Sequence, residues 1–269
     1  MRICLALALL VGCASRSKEQ EREIAQIKQR VVSDPASLNV DDGSGSPLDI
    51  AVINNYLDLA EWLVEHHADL NARNRRGSMA LHEAVIADRA PDYKMIHFLL
   101  RSGADVNARR AYDETPLHEA ASLGLTEAAR ILVEHGADVN ARAGRGETPL
   151  HIASNAPGYP DLVDLLLAHG ADIEAQQNNG ATALHQAVLS GNTKVVELLL
   201  RRGASTSARN QAGDAPVHYA AATGKAEAAE LLLTHHADVN AVDRRVGIRP
   251  CGRRCMRRRW RPAREGRRL

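Results

Sequence analysis

The chain has 269 residues, of which 45% are apolar but only 3% are aromatic, so its core must consist mainly of Ala, Leu, Val and Ile. Residues 1–243 carry 22 Lys and Arg against 32 Asp and Glu, a net charge of −10, and 12 further basic residues lie at or beyond Arg244. The overall charge of +1 is therefore the sum of an acidic segment and a basic tail. Nucleic-acid binding driven by charge would therefore depend wholly on the tail.

The amino terminus predicts export. One basic residue precedes an apolar run from Ile3 to Gly12, which is too short to span a bilayer and has the length of a secretory signal, here residues 1–12. The sequence Leu10-Val11-Gly12-Cys13 resembles the lipobox of bacterial lipoproteins. That resemblance implies a diacylated Cys13, and Ala14 after it implies the periplasmic face of the outer membrane. An ordinary cleaved signal or a wrongly assigned start codon is the alternative.

The next two segments carry no repeat motif of their own. Residues 13–22 are polar and are interpreted as a short tether. Residues 23–39, which read "EIAQIKQRVVSDPASLN", fit a degenerate helix that would cap the amino-terminal end of the segment after residue 39.

A repeat organises the rest of the chain. Apolar residues at one recurring position stand 33, 36, 33, 34 and 33 residues apart, at Leu48, Leu81, Leu117, Leu150, Leu184 and Val217. In the fullest unit, Thr115 and Pro116 predict the start of a helix with Leu117, Ala120 and Ala121 inward, ending at Gly124. A second helix is predicted from Thr126 to Gly136, with Ala129, Ile131, Leu132 and Val133 inward.

The six units resemble ankyrin repeats. They read "SPLDIA", "MALHEA", "TPLHEA", "TPLHIA", "TALHQA" and "APVHYA", and all but the fifth, which reads "GASTSA", continue into "HADLNA" or a close variant. The resemblance implies an all-α repeat solenoid of helix-turn-helix units joined by β-hairpin loops over residues 40–245. The predicted repeats are 42–73, 74–109, 110–142, 143–176, 177–209 and 210–242.

Residues that could carry chemistry are explained by the repeats. All 12 histidines lie inside them, and five occupy the same position, at His82, His118, His151, His185 and His218. A fixed position favours hydrogen bonds to neighbouring backbone over metal ligation. Two segments begin like the zinc motif His-Glu-x-x-His, but Ile86 and Ser122 replace the second histidine. We therefore expect no enzyme, no metal site, no cofactor and no small-molecule substrate.

Two sets of residues are candidates for binding a partner. The hairpins are rich in arginine, and four of these arginines share one repeat position, at Arg73, Arg109, Arg142 and Arg209. Such a row would attract an acidic protein surface or would be an ordinary solvated edge. The turns between helices carry three tyrosines that could be exposed anchors or isolated rings. The remaining candidates are Arg75, Arg76, Arg110, Tyr112 and Arg145, and the tyrosines are Tyr56, Tyr93 and Tyr159.

The tail departs from the repeat. A seventh unit should place a leucine near residue 250, but residues 246–269 are rich in arginine. We interpret this tail as unstructured or as the product of a frameshift, since one choice of codons read one base earlier encodes an ankyrin-like first helix. A basic arm for nucleic acid or anionic lipid is an alternative. A metal or redox pair at Cys251 and Cys255 is another, although two cysteines are too few for a closed zinc site.

These observations predict a non-catalytic scaffold, anchored by lipid in the envelope, that binds an envelope or exported protein. The alternatives are a soluble periplasmic form, a secreted effector that binds a foreign protein, and nucleic-acid binding through the tail. The sequence does not name the partner, because one repeat scaffold serves unrelated partners through its surface side chains.

Overall fold

The computed structural model describes residues 16–41, 43, 45–87, 93–155 and 159–238. The predicted signal at 1–12, Cys13 and the tail at 246–269 lie outside these residues. Within them there are thirteen α-helices, joined by turns and two short 3-10 helices at Pro35–Asn39 and Ala111–Asp113. The helices are α1 Lys18–Ser33, α2 Pro47–Ile53, α3 Leu57–Glu65, α4 Ala80–Ala87, α5 Lys94–Arg101, α6 Pro116–Leu123, α7 Thr126–Glu134, α8 Pro149–Asn155, α9 Pro160–Ala168, α10 Ala183–Ser190, α11 Thr193–Arg201, α12 Pro216–Thr223 and α13 Ala226–Thr234.

The capping helix α1 begins at Lys18 instead of residue 23. Ser17 and Gln20 form a reciprocal capping box, in which the Gln20 N–H donates to Ser17 Oγ at 3.2 Å and the Ser17 N–H donates to Gln20 Oε1 at 3.0 Å. Residues 18–22, which the sequence assigns to a polar tether, are therefore helical. The inward face of α1 is buried through Ile24, Ile27 and Val31.

The other twelve helices form six pairs in two layers. Each first helix contacts the next first helix (α2, α4, α6, α8, α10 and α12), and each second helix contacts the next second helix (α3, α5, α7, α9, α11 and α13). The predicted repeat position is the core of the first layer, since Leu48, Leu81, Leu117, Leu150, Leu184 and Val217 are at most 2% exposed. The predicted helix pair of the third repeat is confirmed at α6 and α7. The solenoid that the sequence predicts is the observed fold.

Hairpins project between the second helix of one repeat and the first helix of the next. Each hairpin is closed by a backbone hydrogen bond that spans four residues, such as Ala143 N–H to Glu147 O at 2.8 Å and Gln177 N–H to Ala181 O at 2.9 Å. The tight turn inside each hairpin requires a residue with positive φ, which is glycine in most repeats. Hairpins of equal construction bring equivalent residues to the same edge of the solenoid.

In four of the six repeats, a buried histidine near the start of the first helix ties that repeat to the next; these residues are His82, His118, His151 and His185. In His118 and His151, Nδ1 accepts the N–H of the threonine three residues earlier at 3.2 Å, and Nε2 donates to a carbonyl of the following hairpin. The carbonyl belongs to Glu147 or Ala181, at 3.1 and 3.2 Å. His185 repeats the arrangement with Asp214 O at 3.1 Å. The rings thus hydrogen-bond neighbouring backbone, as their fixed position predicts.

These bonds require the neutral imidazole. Because Nδ1 must accept hydrogen bonds, a proton there would replace an acceptor with a donor. Burial lowers the pKa of His151 and of His185 from 6.5 to about 4, and the hydrogen bonds to backbone carbonyls offset only part of that shift. The same cause lowers the pKa of His82 and of His118.

We predict that acid weakens the solenoid below pH 6.5. The unfolded chain takes up protons at its histidines near pH 6.5, whereas His151 and His185 stay neutral in the fold until about pH 4. The free energy of unfolding is therefore fully retained above pH 6.5 and falls as the pH drops towards 4, by roughly 1 kcal/mol per pH unit for each ring. Urea unfolding between pH 7.5 and 5 measures this slope.

The control separates these rings from other titrating groups. His151→Gln should flatten the slope, whereas His169→Gln, at the exposed end of α9, should leave it unchanged. An identical slope in His151→Gln and the unchanged chain would contradict the prediction.

In the second repeat, the histidine makes only one of these two kinds of hydrogen bond. Met79 stands where other repeats have threonine, and both Met79 and His82 are buried. His82 Nε2 still donates to Glu114 O at 3.1 Å, but its Nδ1 has no hydrogen-bond partner in the described part of the chain. A buried acceptor without a donor costs free energy.

We predict that Met79→Thr stabilises the protein, because the threonine hydroxyl can donate to His82 Nδ1 as Thr115 does to His118 at 2.8 Å. The expected gain is about 1 kcal/mol in the free energy of unfolding. Met79→Val is the matched control, since valine has the shape of threonine without the hydroxyl. Equal stability of the two variants in urea would show that the hydroxyl makes no such bond.

Candidate protein-binding surface

The hairpins of repeats three to six form a rigid edge because their tips are linked to each other through the backbone. The Gly144 N–H donates to Tyr112 O at 2.7 Å, and the Asn178 N–H donates to Arg145 O at 2.9 Å. The link recurs between the last two described tips, where the Gln211 N–H donates to Asn179 O at 2.9 Å. The spacing of side chains along this edge is therefore set by the fold.

The arginines that share one repeat position donate hydrogen bonds to backbone carbonyl groups of the hairpins. Arg109 donates to Arg142 O at 2.9 Å in the next hairpin, and Arg142 donates to Gln176 O at 2.7 Å in the hairpin after that. Arg73 and Arg209 donate within their own hairpins, to Gly77 O at 3.3 Å and Gly213 O at 2.7 Å. We call these four residues the strut row. Arg109 and Arg142 thus join neighbouring hairpins, Arg73 and Arg209 brace their own hairpins, and all four still carry positive charge.

Two further candidate arginines are paired with acids. Arg75 lies against Asp41, whose pKa is lowered mainly by the hydrogen bond that it accepts from the Arg75 N–H at 2.9 Å. Arg110 donates to Glu114 through Nε at 3.0 Å and Nη2 at 2.8 Å and also contacts Glu119. These pairs hold the hairpins of repeats two and three in place, and their charges are largely compensated.

The residues most open to a partner occupy a different position, at the hairpin tips. Arg76, Tyr112 and Arg145 stand at equivalent places in the hairpins of repeats two, three and four, and we call them the tip row. The guanidinium groups of Arg76 and Arg145 are exposed and make no hydrogen bond or ion pair within the described residues. Tyr112 is 82% exposed. The same position holds Asn179 and Ala212 in the last two hairpins, so the basic and aromatic stretch ends after repeat four.

The backbone at Tyr112 is strained. Tyr112 and Asp113 have φ values of 61° and 58°, in the left-handed region that costs a side chain of this kind on the order of 1 kcal/mol or more. The other hairpins place glycine where Asp113 stands, at Gly77, Gly146, Gly180 and Gly213. The missing glycine is the signal in the sequence that marks this hairpin as unlike the others.

The tyrosines of the inter-helix turns do not form an exposed set. Tyr56 is only 4% exposed and donates from its hydroxyl to Glu23 Oε2 at 3.0 Å, which fastens α1 to the first repeat. Burial raises its pKa to about 12. Tyr93 and Tyr159 are half-buried against the core, and the Tyr159 ring covers Gly124 so closely that a Cβ there would lie 2.1 Å from Cε1. Tyr56 therefore serves the fold and is no anchor for a partner.

Family models for ankyrin repeats match most of the described chain. A model of three ankyrin copies matches residues 81–177 and again 150–243, and a model of many copies matches residues 33–84. The chain belongs to the ankyrin repeat family. Proteins of this family are generally interaction modules without catalysis, and the coarse conclusion of a protein-binding scaffold follows for this ankyrin chain.

The chain is similar in sequence to one known ankyrin protein and in structure to a solved ankyrin repeat domain. The B-cell lymphoma 3 protein homolog of Mus musculus is 38% identical over 92 residues, which are 34% of this chain and 20% of that protein. The chain thus spans about a fifth of the length of this relative. A crystal structure of the ankyrin repeat domain of Bcl-3, a unique member of the IkappaB protein family, superposes with a TM-score of 0.70 at 30% identity. It covers 78% of this chain and 93% of the crystallised one.

Metal ligation and membrane crossing find no support among the described residues. These residues contain no cluster of three or more His, Cys, Asp and Glu side chains placed to hold a metal ion. None of the helices in the same ranges combines the length and the apolar character needed to cross a membrane.

We predict that the strut row and the tip row differ in their contribution to stability. Arg142→Ala should lower the free energy of unfolding by about 1 kcal/mol, because Gln176 O loses its donor. Arg145→Ala, three residues away on the same hairpin, should change it by less than about 0.5 kcal/mol, since this exposed side chain has no hydrogen bond or ion pair to lose within the described residues. Urea unfolding of both variants tests the difference. Equal destabilisation would refute the assignment of separate roles.

Proposed function

We propose that this ankyrin chain is a non-catalytic scaffold that binds another protein through the hairpin tips of repeats two to four. The observation that carries the proposal is the tip row, in which an exposed aromatic ring stands between two guanidinium groups that have no hydrogen bond or ion pair within the described residues. Tyrosine and arginine are among the side chains most enriched at the energetic centre of protein interfaces. A strained backbone conformation at Tyr112 is the kind of cost that persists at functional sites.

We further propose that the scaffold is attached to a membrane by a lipid on Cys13 and faces the periplasm from the outer membrane. The support is the short apolar run ending in Leu10-Val11-Gly12-Cys13 and the absence of cysteine between residues 14 and 250, which suits an oxidising compartment. A lipid anchor would confine the binding edge to the envelope, where exported proteins are its available partners. A chain released as a soluble or secreted protein is the competing outcome.

The location is tested by expressing the full chain in a Gram-negative bacterium and determining the mass of its amino-terminal peptide. We expect a diacylated peptide that begins at Cys13, in the outer-membrane fraction. Cys13→Ser should lose the lipid and move to the soluble fraction. An unmodified Cys13 in the unchanged chain, or a protein recovered from the medium, would overturn the anchor but leave the binding proposal standing.

The binding function is tested by chemical cross-linking in cells, followed by purification in detergent. We expect one protein to be captured in stoichiometric amount by the unchanged chain and to be lost from the variant Arg76→Ala, Tyr112→Ala, Arg145→Ala. The matched control changes exposed basic residues on second helices, Arg101→Ala and Lys194→Ala, and should capture as much as the unchanged chain.

Circular dichroism checks that each variant keeps its helices. Capture that is the same in the tip-row variant and the control would show that the scaffold does not bind through this edge.

A further inference from the structure

The tip row has a composition and a spacing that point to the chemistry of its partner. Its three side chains lie in consecutive hairpins, which follow packed helices and are therefore separated by about 10 Å each. Arg76 and Arg145 are then about 20 Å apart, with the Tyr112 ring between them. An extended chain advances about 3.3 Å per residue, so about six residues cover that distance.

The arginines around the tip row are not paired with carboxylates in the described part of the chain. No ion pair joins Arg73, Arg109 or Arg142 of the strut row to a carboxylate within the described ranges, since their hydrogen bonds go to carbonyl groups. The carboxylates of Asp105, Asp138 and the equivalent aspartates accept the N–H two residues further on, at 2.9 Å, and are held in their own turns. The edge thus carries five arginines on three hairpins that form no ion pair within the described residues, and Asp113 is the exposed acid beside Tyr112.

We infer that the tip row binds an extended acidic segment of the partner protein. Two carboxylates about six residues apart would meet Arg76 and Arg145, and an apolar side chain between them would pack on the Tyr112 ring. The inference rests on the proposed function, because it specifies which part of the partner the scaffold recognises. The backbone hydrogen bond from the Gly144 N–H to Tyr112 O holds the Tyr112 and Arg145 hairpins together before binding, which reduces the entropy lost on association.

A protein segment fits this edge better than a nucleic acid. Binding to a phosphate backbone depends on many neutralised charges and on release of their counterions. Within the described residues the tips supply two guanidinium groups without a partner, and the basic stretch does not continue, because Asn179 and Ala212 stand at the next two tips. A short acidic segment with an apolar centre uses both kinds of side chain in the row.

The test uses the full chain and a labelled twelve-residue probe peptide, with two glutamates near each end, one leucine in the middle, and glycine and serine elsewhere. Fluorescence anisotropy measures the affinity. We expect Tyr112→Ala to weaken binding at least tenfold, as for an interface anchor. Each of Arg76→Ala and Arg145→Ala should weaken it about threefold.

The arginine-rich tail is kept in every variant, because its 12 basic residues from Arg244 onward attract acidic peptides in their own right. This attraction is the same throughout the series and cancels when variants are compared. Two altered probes check the spacing. A peptide with all four glutamates at one end has the same charge, and a peptide with serine in place of leucine has the same spacing. Both should bind the unchanged chain several-fold more weakly than the first probe.

Asp113→Asn supplies a variant that should bind more tightly. Asparagine tolerates the left-handed backbone that Asp113 adopts, and the change removes the negative charge beside Tyr112. We expect the affinity for the probe to rise about twofold to fivefold. A loss of folding cannot produce such a gain.

The outcomes separate acidic-segment recognition from the proposed function. Recognition of an acidic segment is supported if the probe shows the expected pattern and competes with the protein captured in cells. It fails if the tip-row variant loses that protein while the probe binds all variants equally, and the scaffold function then stands. It also fails if an oligonucleotide of the same charge shows the full dependence on the tip row and the peptide does not. If the captured protein is indifferent to the tip row, both proposals fail.

Discussion

A hydrogen bond from a buried histidine to the carbonyl of the next hairpin joins consecutive repeats from the second to the sixth. In His118, His151 and His185 one ring joins two repeats, because Nδ1 accepts from the start of its own helix and Nε2 donates across the repeat boundary. The ring must be neutral and buried to do so. The hairpins of repeats three to six are thereby each tied to the first helix of the repeat before, and the edge formed by their tips depends on this chain of bonds.

The arginines of the hairpins have two different roles, which the amino-acid composition alone does not distinguish. Arg109 and Arg142 bind carbonyl groups of the following hairpin and keep adjacent hairpins together. Arg76 and Arg145 extend from the tips without internal partners in the described chain, on either side of Tyr112. The first pair makes the edge rigid, and the second pair gives it a chemical character. A rigid edge with exposed charge and one aromatic ring is suited to recognising a protein segment, which is the use that ankyrin repeats generally serve.

The fold was predictable because each repeat carries its own helix start signals, helix stop signals and apolar positions. Thr115 and Pro116 start a helix, Gly124 ends one, and Leu117 and Leu132 have apolar equivalents in every unit, so period and local signals agree. The candidate surface was predicted less completely. Tyr112, Arg76 and Arg145 were among the candidates, but so was Tyr56, which is buried, and the strut row could not be told from the tip row. The start of α1 was placed five residues late, because the capping box of Ser17 and Gln20 lies within a stretch that is polar throughout.

Residues near each other in the chain are enough to specify the repeat, its helix pairs, the apolar core and the arginine-rich hairpins. The predicted export signal and the basic tail are likewise features of local sequence, and neither depends on the described fold. Tertiary packing alone selects which arginines face a carbonyl and which face solvent, and brings Tyr56 to Glu23 across 33 residues. The physical reason is that hydrogen-bond partners one repeat apart are brought together by packing, and a local pattern of residue types does not specify which of several equal side chains will reach them.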